Sequence, residues 1–312
     1  MKRQFNLLLL PFLLAVIFAS ADAQEKCRTL VLEGKRVRFN IVIGGGDKGS
    51  YAAGAIQGFV HGLKPEERAW EIVSGVSIGA VNAFAISLFD VGREDLAADF
   101  MSHMWTGMQR NQLFKQWPHG IIESFTAPHS GLFDNSVVLE YLDKMVKEKS
   151  LKRTLTAGAV DANTGQYIRY NSTGMPYEDV LKVVQGSGAY PVAFPAVEFY
   201  GKNLIDGGVV LYMDFDAPIQ LCRERGFRDE DIVLDTIFLT GDNLPVRDTS
   251  NYTPLQMHHR TKEIHGYLYN MGIYEKALLD YPDVDFRYVV APEVSLNPSY
   301  EFAPILFNMK RM

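Results

Sequence analysis

The feature that most constrains this chain is a short apolar run, Ile72 to Ala80 (IVSGVSIGA), in which a serine lies between two glycines. The residues before the serine indicate a buried strand, and those after it indicate a helix. A strand that turns directly into a helix lifts the side chain at the turn above the sheet, and the flanking glycines let the two elements approach closely. The run predicts that Ser77 is an exposed nucleophile, with an ordinary turn residue as the alternative.

Predicted strands and predicted helices alternate along the chain. Before and through this run, the pattern predicts strand 37–43, helix 49–63, strand 70–73 and helix 77–89. Further on it predicts, in order, helix 94–108, helix 137–149, a hairpin of strands 154–161 and 166–170, helix 177–185, a hairpin around Gly201, strand 232–240, helix 254–279 and strand 285–290. This order is typical of a three-layer α/β fold, in which helices cover both faces of a central, mostly parallel sheet.

The N-terminal segment 1–23 has the features of a secretory signal peptide. Two basic residues precede an apolar stretch, which ends at the small-residue site Ala21-Asp22-Ala23. An uncleaved membrane anchor is the alternative, but the stretch contains Asn6 and Pro11 and falls short of the ~20 residues that a spanning helix needs. We therefore expect a single domain over 24–312, in a protein that is secreted or resides in an endo-lysosomal or vacuolar lumen.

The charge balance limits the partners of the chain. With 31 basic and 37 acidic residues, the formal net charge is −6, so the sequence predicts no basic face for nucleic acid. No polybasic segment for anionic lipid is evident either, so any transient membrane contact is expected to be apolar.

Two other features bear on the compartment. Cys27 and Cys222 form one disulfide or remain two thiols, since the sequence gives no distance between them. Asn171 and Asn251 each begin a glycosylation sequon, which predicts a glycoprotein if the chain enters the secretory pathway.

A glycine-rich turn precedes the predicted helix 49–63. Gly44, Gly45 and Gly46, followed by Lys48 and Gly49, would present backbone N–H groups at the start of a helix, where they can stabilise a developing oxyanion. A dinucleotide-binding loop is the alternative, because the glycine spacing also fits that fingerprint. That alternative needs an acidic residue at the end of the next strand, where this chain has Ser74-Gly75.

A candidate base follows a short predicted strand near residue 206. Asp206 is followed by Gly207 and Gly208, so its carboxylate lies at a turn. An Asp-Gly-Gly sequence by itself is ordinary turn chemistry. Its occurrence with the glycine loop and the serine motif favours a base that accepts the serine proton.

Together these motifs resemble the patatin-like phospholipases. That family combines a Gly-Gly-Gly-x-Arg/Lys-Gly loop, a Gly-x-Ser-x-Gly elbow and a late Asp-Gly-Gly or Asp-Gly-Ala, and all three occur here in that order. The segments SGLFDNS (130–136) and GSGAYPVAFPAV (186–197) are also similar to the family, and the resemblance extends from about Phe39 to Val210.

The resemblance implies a Ser–Asp dyad, with Ser77 as nucleophile, Asp206 as base, and the backbone of Gly44, Gly45 and Gly46 as the oxyanion hole. It implies hydrolysis of fatty-acyl esters of phospholipids, lysophospholipids or neutral glycerolipids without a cofactor or metal. Lys48 stands where arginine is more common, and Ile43 where many relatives have Asp or Ser. The residues expected to support the motifs are Lys48, Gly49, Gly75, Gly79, Gly207 and Gly208.

Two other functions are compatible with the sequence. An α/β-hydrolase triad would use Ser77, Asp206 and a histidine, with candidates at His258, His259 and His265. A binding or storage protein would keep the fold without turnover.

One segment is a candidate for contact with lipid. The apolar residues of 105–125 are expected to form either a lid or interfacial loop, or ordinary packing over the core. They are Trp105, Met108, Leu113, Phe114, Trp117, Ile121, Ile122 and Phe125.

Overall fold

The computed structural model describes residues 25–34, 48–109, 112, 114–120, 123, 131–241, 243–293 and 296. The predicted signal peptide, the predicted strand 37–43 and the glycines Gly44, Gly45 and Gly46 lie outside the described residues. Within the described part, no helix is both long enough and apolar enough to cross a membrane.

The described residues form an eight-stranded sheet and the helices that pack on it. The strands are β1 (Cys27–Leu32), β2 (Ile72–Val76), β3 (Thr154–Asp161), β4 (Gln166–Asn171), β5 (Val197–Phe199), β6 (Lys202–Asp206), β7 (Ile232–Ile237) and β8 (Asp285–Val290). The α-helices are α1 (Gly49–Gly62), α2 (Ile78–Ser87), α3 (Glu94–Gly107), α4 (Ser136–Met145), α5 (Tyr177–Ser187), α6 (Asp216–Glu224) and α7 (Pro254–Asp280). Short 3-10 helices occupy Gly207–Val209 and Asp229–Asp231.

The sheet is mixed but mostly parallel. Strands β3, β2, β1, β7 and β8 are neighbours in that order and run parallel to one another. Strands β4 and β6 pair antiparallel with β3, and β5 pairs antiparallel with β6. The predicted α/β class with a mostly parallel sheet is confirmed.

Helices cover both faces of this sheet, and the central strands are therefore buried on both sides. In β1, Leu30 and Leu32 pack into a core with α1, α2 and α3, whereas Val31 between them packs into a second core with α6 and α7. Alternating side chains of a strand point to opposite faces, so the two cores are the two interfaces of a three-layer arrangement.

The sequence pattern does not predict strand β1; the strand that it predicts before α1 lies at 37–43. The described strand that pairs with β2 is Cys27–Leu32. Cys27 is joined to Cys222 of α6 by a disulfide, which decides a pairing that the sequence left open. Helix α6 was also missed, because it is only nine residues long and Pro218 in its first turn is typical of a loop or a helix end.

The candidate lid segment contributes to the core where it is described. Trp105 and Met108 belong to the core formed with α1 and α2, and Phe114 is buried against Phe133. Trp117 is partly buried, and its Nε1 donates to the carbonyl oxygen of Gly131. The contacts of these four residues favour the packing alternative. Leu113, Ile121, Ile122 and Phe125 lie outside the described residues.

Candidate active site

The register of β3 brings the two predicted catalytic residues together. Strand β4 pairs along one edge of β3, so β2 and β6 share the other edge. β2 runs parallel to β3 and ends at Val76, opposite Gly158, whereas β6 runs antiparallel and ends at Asp206, opposite the next residue, Ala159. The two strands therefore point towards each other, and Ser77 and Asp206 meet where they end.

Ser77 occupies a sharp turn between β2 and α2. Its backbone has φ 54° and ψ −124°, a conformation that non-glycine residues rarely adopt. A Cβ on Gly75 would lie 2.2 Å from the carbonyl oxygen of Gly79, and a Cβ on Gly79 would lie 2.4 Å from that of Leu32. Both positions require glycine because strand and helix backbones touch there, which is the close approach that the serine motif predicts.

Ser77 and Asp206 form a direct hydrogen bond. The Ser77 hydroxyl donates to Oδ2 of Asp206 over 2.5 Å, and Oδ1 accepts from the backbone N–H of Gly208 over 2.7 Å. Asp206 is fully buried and Ser77 is 6% exposed, so the serine is largely buried rather than exposed as predicted, and it is the less buried member of the pair. Charge-assisted bonds of this length are among the stronger hydrogen bonds in proteins.

Burial changes the acidity of Asp206. The loss of hydration raises the pKa of its carboxyl group to about 7, although the hydrogen bonds from Ser77 and Gly208 oppose that rise. A carboxylate with this pKa is a far better proton acceptor near neutral pH than an exposed aspartate, whose pKa is about 3.9. Burial thus gives Asp206 the proton affinity that a base needs near neutral pH.

The glycines after Asp206 fix the turn that holds it. A Cβ on Gly207 would lie 2.3 Å from the carbonyl oxygen of Gly158, so the turn packs directly against β3. Gly208 supplies the N–H that orients the carboxylate, and a Cβ there would lie 3.0 Å from Oδ1. One oxygen of Asp206 is thus held by the backbone, and the other faces the serine.

Ser187, at the end of α5, supports the elbow and was not singled out from the sequence. Its Oγ accepts a hydrogen bond from the backbone N–H of Ser77 over 2.9 Å and donates one to the carbonyl oxygen of Gly158 over 2.6 Å. Ser187 is fully buried. It therefore ties the strained turn to β3, and its place in the segment GSGAYPVAFPAV is the signal that could have identified it.

Replacing Ser187 by alanine is expected to lower kcat for ester hydrolysis by about tenfold with little change in KM, because the Ser77 N–H loses its acceptor and the turn relaxes. The matched control is Ser87→Ala, since Ser87 is also fully buried at a helix end and donates to the carbonyl oxygen of Phe84. Steady-state kinetics and thermal melting of both variants check this expectation. Equal losses of kcat in the two variants would contradict it.

The end of the glycine loop is fixed to the elbow helix. The Asn82 side chain donates to the carbonyl oxygen of Gly49 over 3.0 Å and accepts from Nε1 of Trp105 over 2.9 Å. A Cβ on Gly49 would collide with the Trp105 ring and with Ile78, the residue after the serine. The start of α1 is thereby held beside Ser77.

Lys48 lies just before α1 and acts electrostatically on Glu33, which follows β1. Burial raises the pKa of the Glu33 carboxyl group, whereas hydrogen bonds from Thr240 and Leu239 and the charge of Lys48 oppose the rise. Glu33 also accepts a hydrogen bond from Asn270 of α7. The positive charge of Lys48 thus favours the ionised form of Glu33, a buried carboxylate that links the sheet to α7.

The three candidate histidines, His258, His259 and His265, lie on α7. In the described structure, the side chain of Asp206 bonds to Ser77 and Gly208, and none of its hydrogen bonds goes to a histidine. In a Ser–acid–His triad the acid would contact the histidine rather than the serine. The geometry favours a dyad.

Comparison with known proteins identifies the family. The profile described as patatin-like phospholipase matches residues 42–219, more than half of the 312 residues and a range that includes Ser77 and Asp206. The chain therefore belongs to the patatin-like phospholipase family, whose members are carboxylic ester hydrolases.

The other comparisons give weaker similarity or none. The crystal structure of VipD from Legionella pneumophila is similar with a TM-score of 0.39 and 14% sequence identity, over 89% of this chain and 64% of that chain. The chain thus spans less than two thirds of VipD. A comparison with curated protein sequences gives no significant match.

Proposed function

We propose that this protein is a lipid acyl hydrolase that cleaves fatty-acyl esters of phospholipids or lysophospholipids through an acyl-enzyme on Ser77, with Asp206 as base. The observation that carries the proposal is the 2.5 Å hydrogen bond from the Ser77 hydroxyl to a fully buried carboxylate. A strained serine next to a base of raised pKa is the arrangement expected of an activated nucleophile.

The reaction proceeds in two halves. Asp206 accepts the Ser77 proton as Oγ attacks the ester carbonyl carbon, and it returns that proton to the leaving alcohol oxygen as the ester bond breaks. Asp206 then takes a proton from water, whose oxygen attacks the acyl-enzyme. The fatty acid leaves as Ser77 regains its proton from Asp206.

The negative charge that develops on the carbonyl oxygen needs hydrogen-bond donors. The backbone N–H groups of Gly44, Gly45 and Gly46 are the proposed donors, although these glycines lie outside the described residues. A further donor is the N–H of Ile78, because the first N–H groups of a helix have no acceptor within it and α2 begins at Ile78. The positive end of the α2 dipole lies at the same place.

The function is tested by release of fatty acid from a lysophospholipid and of p-nitrophenol from a short-chain ester, together with labelling by a serine-reactive phosphonate. We expect turnover of both esters and one label, on Ser77, located by peptide mass spectrometry. A folded protein that neither turns over these esters nor takes the label would instead be a binding or storage protein. Hydrolysis of the short ester alone would exclude the phospholipid assignment.

The pH dependence of kcat/KM is expected to follow the ionisation of Asp206. Only the carboxylate form accepts a proton, and burial raises the pKa to about 7. The rate should therefore rise with pH up to about 7 and level off above it. A pH–rate profile on the short-chain ester checks this, with melting temperatures confirming a folded protein at each pH. A rate that is constant from pH 5 to pH 8 would exclude Asp206 as the base.

We also propose that the protein is a single mature domain, 24–312, that is secreted or lumenal. Support comes from the signal-peptide pattern of 1–23 and from the Cys27–Cys222 disulfide, because such bonds persist in oxidising compartments. Of the two sequons, Asn251 is exposed, whereas Asn171 is partly buried and accepts a hydrogen bond from the Thr173 N–H. Asn251 is therefore the better glycosylation site.

A further inference from the structure

Helix α7 has an unusual charge distribution for a chain of net charge −6. From Pro254 to Tyr274 its one acidic residue is Glu263, which is 9% exposed and pairs with Arg247 at 3.2 Å and Arg260 at 2.9 Å. Lys262 is exposed, and within the described residues no carboxylate pairs with it. This part of the helix therefore presents positive charge to solvent and no free negative charge.

The same part of α7 exposes large apolar side chains. Leu268 is 61% exposed, Met257 43%, Leu255 53% and Tyr269 38%. Eleven residues are close to three helical turns, so Met257 and Leu268 lie along one line of the helix. Leu255, Lys262 and Tyr269 are spaced by seven residues and lie along a second line, about 130° around the helix axis from the first. The buried residues His259, Glu263 and Asn270 are on the opposite side. The exposed arc of the helix thus carries apolar side chains along both lines and Lys262 along the second.

The second line of this arc, which includes Tyr269, is continuous with the rim of the candidate active site. The Tyr269 hydroxyl donates to the carbonyl oxygen of Val210, and its ring packs edge-on against Tyr212. Val209 is 52% exposed and Val210 40%, and they follow Asp206 by three and four residues. Exposed apolar residues therefore run from the turn beside the dyad onto α7.

We propose that this surface, formed by Val209, Val210 and the outer face of α7 from Leu255 to Tyr269, docks the enzyme onto a lipid bilayer that carries anionic headgroups. The proposal rests on the proposed function, because a long-chain lipid ester rarely leaves its bilayer and the site has to reach it. Apolar side chains enter the headgroup region, and Lys262 is attracted by anionic lipid. The far end of α7 differs, since Glu275 and Asp280 are exposed there.

Docking is tested on Ser77→Ala protein, so that the vesicles are not consumed. Its binding to phosphatidylcholine vesicles, with and without about one third phosphatidylserine, is measured by co-sedimentation at low and high salt. We expect the double change Met257→Ser with Leu268→Ser to weaken binding by about tenfold or more on both vesicle types. Lys262→Glu should weaken binding by about fivefold on anionic vesicles only, and less at high salt.

The matched control is Leu279→Ser, which removes an 81% exposed leucine from the same line of α7, eleven residues beyond Leu268. It should bind vesicles as the parent does, and melting temperatures verify the fold of every variant. Equal binding by the double variant and the control would overturn the proposal. So would a parent protein that binds no vesicles, or sedimentation analysis showing that this face mediates self-association. Failure of the proposed function would be a separate result: the enzyme that retains Ser77 would hydrolyse no ester.

Discussion

Replacing Asp206 by asparagine, or Ser77 by alanine, is expected to lower kcat/KM for an acyl ester by about 10⁴-fold. Asparagine has nearly the same shape as aspartate, and its oxygen can still accept from the Gly208 N–H, but its amide cannot take a proton from the serine. Alanine at position 77 removes the oxygen that forms the acyl-enzyme. Because the two residues act as one unit, the double variant should be little worse than either single variant.

The controls for this prediction are the histidine variants His258→Ala, His259→Ala and His265→Ala. In a dyad each should retain kcat/KM within a few-fold of the wild type, and a large loss in one of them would establish a triad instead.

Thermal melting separates effects on chemistry from effects on folding. Above pH 7 the Asp206→Asn variant is expected to be at least as stable as the wild type, since raising the pH through the raised pKa places a charge in a buried site of the folded wild type.

Removing the disulfide is expected to lower the free energy of unfolding by about 5 kcal/mol. The bond joins Cys27 at the start of β1 to Cys222 in α6, which are 195 residues apart. It therefore closes a very long loop in the unfolded chain, and the entropy of that chain falls accordingly. Guanidinium denaturation of Cys27→Ala with Cys222→Ala measures the loss.

Reduction of the wild type provides the matched comparison for the disulfide. Its unfolding midpoint in excess dithiothreitol should approach that of the double variant, and dithiothreitol should leave the double variant unchanged. An oxidised wild type no more stable than the double variant would contradict the prediction. Secretion of active double variant at full yield would also weaken the proposed lumenal location.

Much of the candidate site could be predicted from the sequence because its parts are local. Ser77 is held by glycines two residues to either side, and Asp206 by the two glycines that follow it. Close backbone approach permits no side chain at these positions, so the requirement is visible in the sequence. The antiparallel hairpin β3–β4 was predicted within one residue because the local turn residues Asn163, Thr164 and Gly165 mark it, and strand β8 was predicted with the same ends.

Other features could not be predicted because they depend on residues far apart in the chain. Ser187 is 110 residues along the chain from Ser77, whose backbone N–H donates a hydrogen bond to it, and no local pattern connects the two residues. Strand β1 is a short run whose place in the sheet depends on its pairing with β2 and β7. A second apolar run at 37–43 had the stronger local signal, and that segment lies outside the described residues.

By itself the sequence predicted the α/β class from its hydrophobic periodicity, and its glycine-flanked motifs indicated the candidate serine and aspartate and the resemblance to the family. The tertiary structure alone decided which carboxylate oxygen faces the serine, how burial raises the pKa of Asp206 to about 7, and that Cys27 meets Cys222. It also placed the cationic, apolar face of α7 beside the turn that follows Asp206. Distances, burial and pKa values arise from packing between distant segments, and a linear pattern does not contain them.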